Sequence, residues 1–263
     1  MERVGARSVA RSVQLRLRRL PEGAGRLARA LAVLEQSDLH RAARLAQLDD
    51  TEAAAAAELL AGAGILDSGL PLTFVHPIVR NGIYIELSGA ERTHAHRRAA
   101  HLLAEQAGTS ERVAQHLLIT EPGGDEWVFG RLVEAARAAG QQGAHETEAV
   151  FLRRALAEPA PPNHRSRLLL DLGMAEANAG LPGWPEHLRR AIEAAPNAAA
   201  AIDAAMVLGL ALSRAQHFTE AVRRSLIPAL TAAASSTSAT SESSWGSTAD
   251  DAWSSRSTAS VKC

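Results

Sequence analysis

The chain has 263 residues, 46% apolar and 22% charged, with a formal net charge of −1. Phe, Trp and Tyr total nine against 55 Ala, so any core is built from Leu, Ile, Val and Ala and favours helix over strand. The near-neutral balance lacks the positive field of a dedicated nucleic-acid binder.

The basic residues are 27 Arg and one Lys, Lys262. A phosphate-binding loop needs a Lys beside glycines, and Lys262 stands in a Ser-rich stretch before Cys263. Schiff-base chemistry and a kinase-type Lys anchor fail on the same ground. A single Cys excludes an internal disulfide and a Cys-based zinc site. No stretch reaches the roughly 18 apolar residues of a membrane span; the longest run is 204–212. A soluble, cytoplasmic protein without membrane contact is expected.

Residues 1–30 hold eight Arg against Glu2 and Glu22. This composition fits either a solvated linker, expected over residues 1–20, or an organelle transit peptide; no apolar region of a secretory signal is present. Residues 26–48 then carry helical periodicity through Leu27, Leu31 and Leu34, resuming at Leu39, Ala42, Ala43 and Leu45. Ser37-Asp38 breaks the run and supplies a cap. Asp49-x-x-Glu52 has capping-box spacing for a third helix to Leu60, stopped by Gly62 and Gly64. Ile65-Leu66 and Leu72-Thr73-Phe74 flank a turn at Asp67-Ser68-Gly69, which predicts a small β-hairpin. Helix, turn, helix, hairpin is the order of a winged helix, expected with its following helices over 21–122.

Pro77 suits the first turn of the next helix. Ser88-x-x-Glu91 is a capping box opening a helix to about Gln106, and Thr109 or Ser110 opens another. From 125 to 230 the pattern predicts antiparallel helix pairs: 127–139 with 146–157, 165–179 with 186–195, and 199–214 beginning a third. Leu172-Gly173, Leu188, Ala191 and Pro196 follow tetratricopeptide spacing with a one-residue slip. Leu208-Gly209, Leu212, Phe218 and Ala221 follow it again, but Pro228 breaks the last repeat. From Thr231 to Cys263, Ser and Thr make up 16 of 33 residues, which predicts disorder. The fold expected is therefore mainly α: a winged-helix domain with one small hairpin, then tetratricopeptide-like (TPR-like) helix pairs.

Several of these runs resemble a family. Phe74-Val75-His76-Pro77-Ile78-Val79-Arg80, Leu87-Ser88, Glu91-Arg92 and His96-Arg97-Arg98-Ala99-Ala100 are similar to the winged-helix segment of large ATP-binding LuxR-type transcriptional regulators, the MalT-like STAND proteins. Ala114-x-His116-Leu117-Leu118, 152–159 (Leu-Arg-Arg-Ala-Leu-Ala-Glu-Pro) and Leu172-Gly173-x-Ala175-Glu176 are similar to their helical-repeat arm, the likeness spanning about residues 14–227. The resemblance implies a central fragment of such a regulator, with neither the phosphate-binding loop nor the DNA-reading helix-turn-helix. It would couple ATP or ADP state in a nucleotide-binding domain to effector or partner binding on the arm, with no cofactor of its own.

By the same resemblance, His76 would contact a nucleotide phosphate, an imidazole being suited to a contact that changes with state; a His fixing the hairpin–helix junction is the plainer alternative. Arg80, one turn on, would touch phosphate or form a surface ion pair. Residues 51–60 would be the recognition helix, but Thr51, Glu52, Glu58 and a run of Ala offer phosphates no positive charge, so no direct DNA binding is expected. His94, His96 and His101 lack the spacing of a helical zinc pair and read as a solvated face. The pairs Arg153-Arg154, Arg189-Arg190 and Arg223-Arg224 recur near second helices, either as a solvent-facing stripe or as a surface for an acidic partner. No catalytic constellation is marked, and no enzyme is expected. The competing expectation is a free-standing TPR-like scaffold that binds a peptide or protein.

Overall fold

The computed structural model describes residues 12–106, 108–158 and 162–215. It divides into two compact units, Met1–Ala204 and Ala205–Cys263. Of the second unit only 205–215 are described, and they are helical. Phe218, Ala221, Arg223-Arg224, Pro228 and the 231–263 tail lie outside the described residues.

The chain is mainly helical. Residues 12–17 form a helical lead-in. Then come α1 (Glu22–Leu34), α2 (Leu39–Ala46) and α3 (Asp50–Gly62). Next are α4 (Pro77–Tyr84), α5 (Gly89–Glu105) and α6 (Ser110–Leu118). The pairs follow as α7 (Glu126–Gln141) with α8 (His145–Ala157), and α9 (Pro162–Asn178) with α10 (Trp184–Glu193). A last helix, α11, covers Ala198–Ala215.

The expected starts are built from short side-chain-to-backbone bonds. Asp38 accepts from Arg41 N at 2.8 Å and caps α2. Asp49 and Glu52 close a full capping box on α3, as do Ser88 and Glu91 on α5. Thr109 caps α6. Past α3, Gly64 turns the chain at φ +66°, a conformation other side chains resist.

The stretch expected as a hairpin holds two isolated antiparallel bridges, Leu66 to Phe74 and Ser37 to Leu72, with no longer strand among the described residues. Ser37, between α1 and α2, exchanges both backbone bonds with Leu72 at 2.8 and 3.3 Å. Three extended pieces thus meet at single residue pairs.

Two main cores result. The first gathers Leu27 and Leu31 of α1, Leu60 of α3, Ile65, Leu66, Leu72, and Val79 and Ile83 of α4. The second gathers Val113 and Leu117 of α6, Val128 and Leu132 of α7, Phe151 and Leu152 of α8, and Leu168 and Leu172 of α9. Each fully buried Leu contributes about 2 kcal/mol. Helix α5 belongs to both: Ala99 and Leu102 enter the first core, Ala100 and Leu103 the second. From α5 to α10 each helix packs on the next in chain order. The three- and five-residue connections inside the pairs, 142–144 and 179–183, give the αα-hairpin arrangement.

The sequence expected an apolar run limited to 204–212. In the structure α11 is 18 residues, and among the described residues it is the one helix long and apolar enough, by length and composition only, to cross a membrane.

Candidate functional site

His76 is the N-cap of α4. Its Nδ1 accepts from Ile78 N at 3.1 Å, which fixes the ring at the junction before Pro77 and leaves Nε2 with the proton. The side chain is exposed. Arg80 points elsewhere. Its Nε donates to Ala32 O at 3.0 Å and its guanidinium pairs with Glu35 at 2.8 Å. It therefore ties α4 to the C-terminal end of α1.

Glu35 is held in a strained backbone, φ 69° and ψ −55°, with Gln36 N bonded back to Leu34 O at 2.9 Å. This is a γ-turn of the rare hand, a conformation that costs about 1–3 kcal/mol and needs surrounding contacts to persist. The Arg80 pair is one of those contacts. Leu34, Glu35, Gln36, Thr73, Phe74, Pro77, Arg80 and Arg112 line an open cleft of 550 Å³.

Beneath Arg80 lies a polar chain that crosses three helices. Tyr84 OH of α4 meets His96 Nε2 of α5 at 2.9 Å. His96 Nδ1 meets His116 Nδ1 of α6 at 2.8 Å. His96 is buried, and the Arg80 and Arg92 guanidiniums each lie 5.6 Å from the Tyr84 ring. Burial first, then the neighbouring His116 and the Arg80 and Arg92 charges, lowers His96 to about 4, against an opposing pull from Glu35. Burial and Arg112 lower His116 to about 4 as well. Both rings are neutral at pH 7, one donating and one accepting. His96, expected on a solvated face, is therefore interior, because His116 and Tyr84 supply partners that its own helix cannot. His94 and His101 are exposed, and His101 stacks on Trp127 at 3.8 Å. Among the described residues no group of three or more His, Cys, Asp or Glu is placed to hold a metal ion.

Helix α3 carries Asp50, Glu52 and Glu58 and no basic residue.

In the arm, adjacent arginines part company. Arg154 is turned inward, its side chain 10% exposed, pairing with Glu158 at 2.8 Å and donating to Thr120 O at 3.1 Å. Glu158 also accepts from Gly123 N and Gly124 N at 3.0 and 2.7 Å. Burial alone would raise its pKa, but the bonds from Arg154, Gly124 and Gly123 outweigh it and hold the carboxyl below its ordinary value. Arg153 reaches α9 instead, with Nε and one terminal nitrogen on Glu176 at 3.1 and 2.8 Å. Glu176 is buried and also receives His187 Nδ1 of α10 at 2.7 Å. Arg189 pairs locally with Glu186 at 3.2 Å, and Arg190 is exposed.

Two clefts flank these helices. One, of 230 Å³, is lined by Arg153, Leu156 and Ala157 of α8, Arg165, Leu169 and Leu172 of α9, and His187 and Arg190 of α10. The other, of 520 Å³, lies between α7, α8 and α9 and includes Arg137, His164, Arg167 and Asp171 over Phe129, Val133 and Leu152. Burial raises the Asp171 pKa despite Arg167 and Arg137. Sequence reading reached Arg153 and Arg190 but missed Arg165, Glu176 and His187, whose meeting depends on three helices.

Comparison with family models, with curated proteins and with solved structures finds no match.

Proposed function

We propose that this chain is a coupling segment of a large ATP-binding LuxR-type, MalT-like transcriptional regulator: a winged-helix unit joined to a TPR-like arm. It passes nucleotide state in a partner domain to effector or partner binding on the arm, in the cytoplasm, and has no catalytic role. The observation that carries the reading is the double membership of α5. One 17-residue helix contributes Ala99 and Leu102 to the first core and Ala100 and Leu103 to the second, so a shift in one core loads the other. Arg41 to Gln106 at 2.7 Å, Arg44 to Glu105 at 2.8 Å and Arg98 to Leu45 O at 2.9 Å add polar ties from α2 to the same helix.

The three bridged pieces around Ser37, Leu66, Leu72 and Phe74, following α1 to α3, support the winged-helix assignment. His76, an exposed residue, and Arg80, beside the strained Glu35, are the proposed nucleotide-sensing residues. The acidic α3 supports a packing role rather than DNA reading.

Native-state hydrogen exchange tests the coupling. Leu31→Ala, in the first core, should raise exchange in α6 and α7 as well as in α1 to α4. Exchange changes that stop before α6 would refute transmission through α5. The purified chain should also show no ATP turnover and no salt-dependent retention of duplex DNA; sequence-specific duplex binding would overturn the assignment.

A second reading, a free-standing TPR-like scaffold for a protein or peptide, is favoured by the open basic cleft between α8, α9 and α10.

A further inference from the structure

We propose that the cleft between α8, α9 and α10 binds a phosphate monoester group. The proposal goes beyond the coupling role and requires only the folded arm. Arg153, Arg165, Arg190 and His187 line one opening, and among the described residues its lining holds no acidic residue. Like charges that share one opening repel one another, and an anion bound among them relieves that repulsion.

The four side chains are not equivalent. Arg153 is held by the buried Glu176 through Nε and Nη2, which leaves Nη1 available. His187 is held by the other oxygen of the same carboxylate. Glu176 thus acts as a positioning residue, holding Arg153 and His187 behind the opening. Among the described residues, Arg165 and Arg190 have neither an ion-pair nor a side-chain hydrogen-bond partner. Their nitrogens are the uncommitted donors of the cleft.

Donor number selects the ligand. A carboxylate offers two oxygens and is satisfied by one planar fork. A phosphate monoester carries about −1.5 to −2 charge at pH 7 and presents three terminal oxygens. That matches the free guanidinium forks of Arg165 and Arg190 together with the remaining Nη1 of Arg153, supplied by three helices. Size agrees: 230 Å³ is below the roughly 300–1,000 Å³ of sites that enclose a whole drug-sized ligand. The cleft takes a phosphoryl head, with the remainder lying outside over Leu156 and Ala157. The head can come from a small phosphorylated molecule or from a phosphorylated side chain.

The test is calorimetric titration of the full chain with phosphoserine, inorganic phosphate, acetate and a phosphoserine peptide. Arg165→Ala with Arg190→Ala should weaken phosphoserine binding by about tenfold or more. Both side chains are exposed and, among the described residues, make no hydrogen bond or ion pair, so far-UV circular dichroism should be unchanged. Arg189→Ala, on α10 but outside the cleft, should bind as the wild type does. Peptide binding tighter than phosphoserine assigns the head to a phosphorylated partner; equal binding assigns it to a small molecule, and either supports the site. Acetate matching phosphoserine, absence of binding by both phosphoserine and phosphate, or undiminished binding by the double variant would overturn it.

Discussion

Lowering the pH from 7 to 5 should strip stability from this protein through His96 and His116. Both rings have folded pKa values of about 4 against an ordinary 6.5, because burial and the Arg80, Arg92 and Arg112 charges disfavour the imidazolium. A lowered folded value means the unfolded chain binds more protons between pH 6.5 and 4. Stability is therefore complete above 6.5 and is lost as the pH falls towards 4. By pH 5 the loss is about 2 kcal/mol for each imidazole and about 4 kcal/mol for the pair. That is a large share of the roughly 5–15 kcal/mol that holds a domain folded.

The mechanism is geometric. With both rings protonated, Nδ1–H would face Nδ1–H across a contact that measures 2.8 Å when one nitrogen accepts. Urea unfolding followed by far-UV circular dichroism at pH 7, 6 and 5 measures the effect, provided the urea slope stays constant. His96→Gln with His116→Gln retains donors and acceptors without titrating in this range. It should start less stable at pH 7 and then change little to pH 5. His94→Ala, an exposed neighbour on α5, should keep the wild-type slope. A wild type equally stable at pH 7 and 5, or a double variant with an undiminished slope, would refute the reasoning.

Gly173→Ala gains about 1 kcal/mol of helix propensity, yet the new Cβ would lie 2.6 Å from both Cγ and Cδ2 of Leu188, so a net loss of about 1–3 kcal/mol should appear as a lower Tm. Gly130→Ala, with nothing within 4 Å of the added carbon, should raise Tm instead. Glu158→Gln leaves Arg154 buried without its counter-charge and should cost about 3–5 kcal/mol at pH 7 by urea unfolding. The Glu158 carboxyl is held below its ordinary 4.5, so it stabilises above that value and the benefit is lost as the pH falls through the folded pKa. The gap between wild type and variant should accordingly narrow below pH 4.5.

The helices and their starts were legible in the residues because their causes are local. Asp38, Asp49, Ser88 and Thr109 each bond a backbone N–H three residues on, and the apolar spacing of Leu27, Leu31 and Leu34 repeats within one helix. Leu172-Gly173 stood out by its spacing, but what holds a glycine there is tertiary: Leu188 of α10 occupies the space a larger residue would need. Partnerships across the chain had no local signal. His96 and His116 are 20 residues apart, and Ser37 and Leu72 are bridged across two helices. Arg153 and Arg154 make the point within a single pair. Read along the chain they form one basic stripe. Neighbours on a helix point about 100° apart, so packing sent Arg154 to Glu158 and Thr120 and Arg153 to Glu176. Composition and periodicity determined that the chain is helical and where its helices start; which cations meet in a cleft, and which histidines give up their charge, was decided only when α5 to α10 packed together.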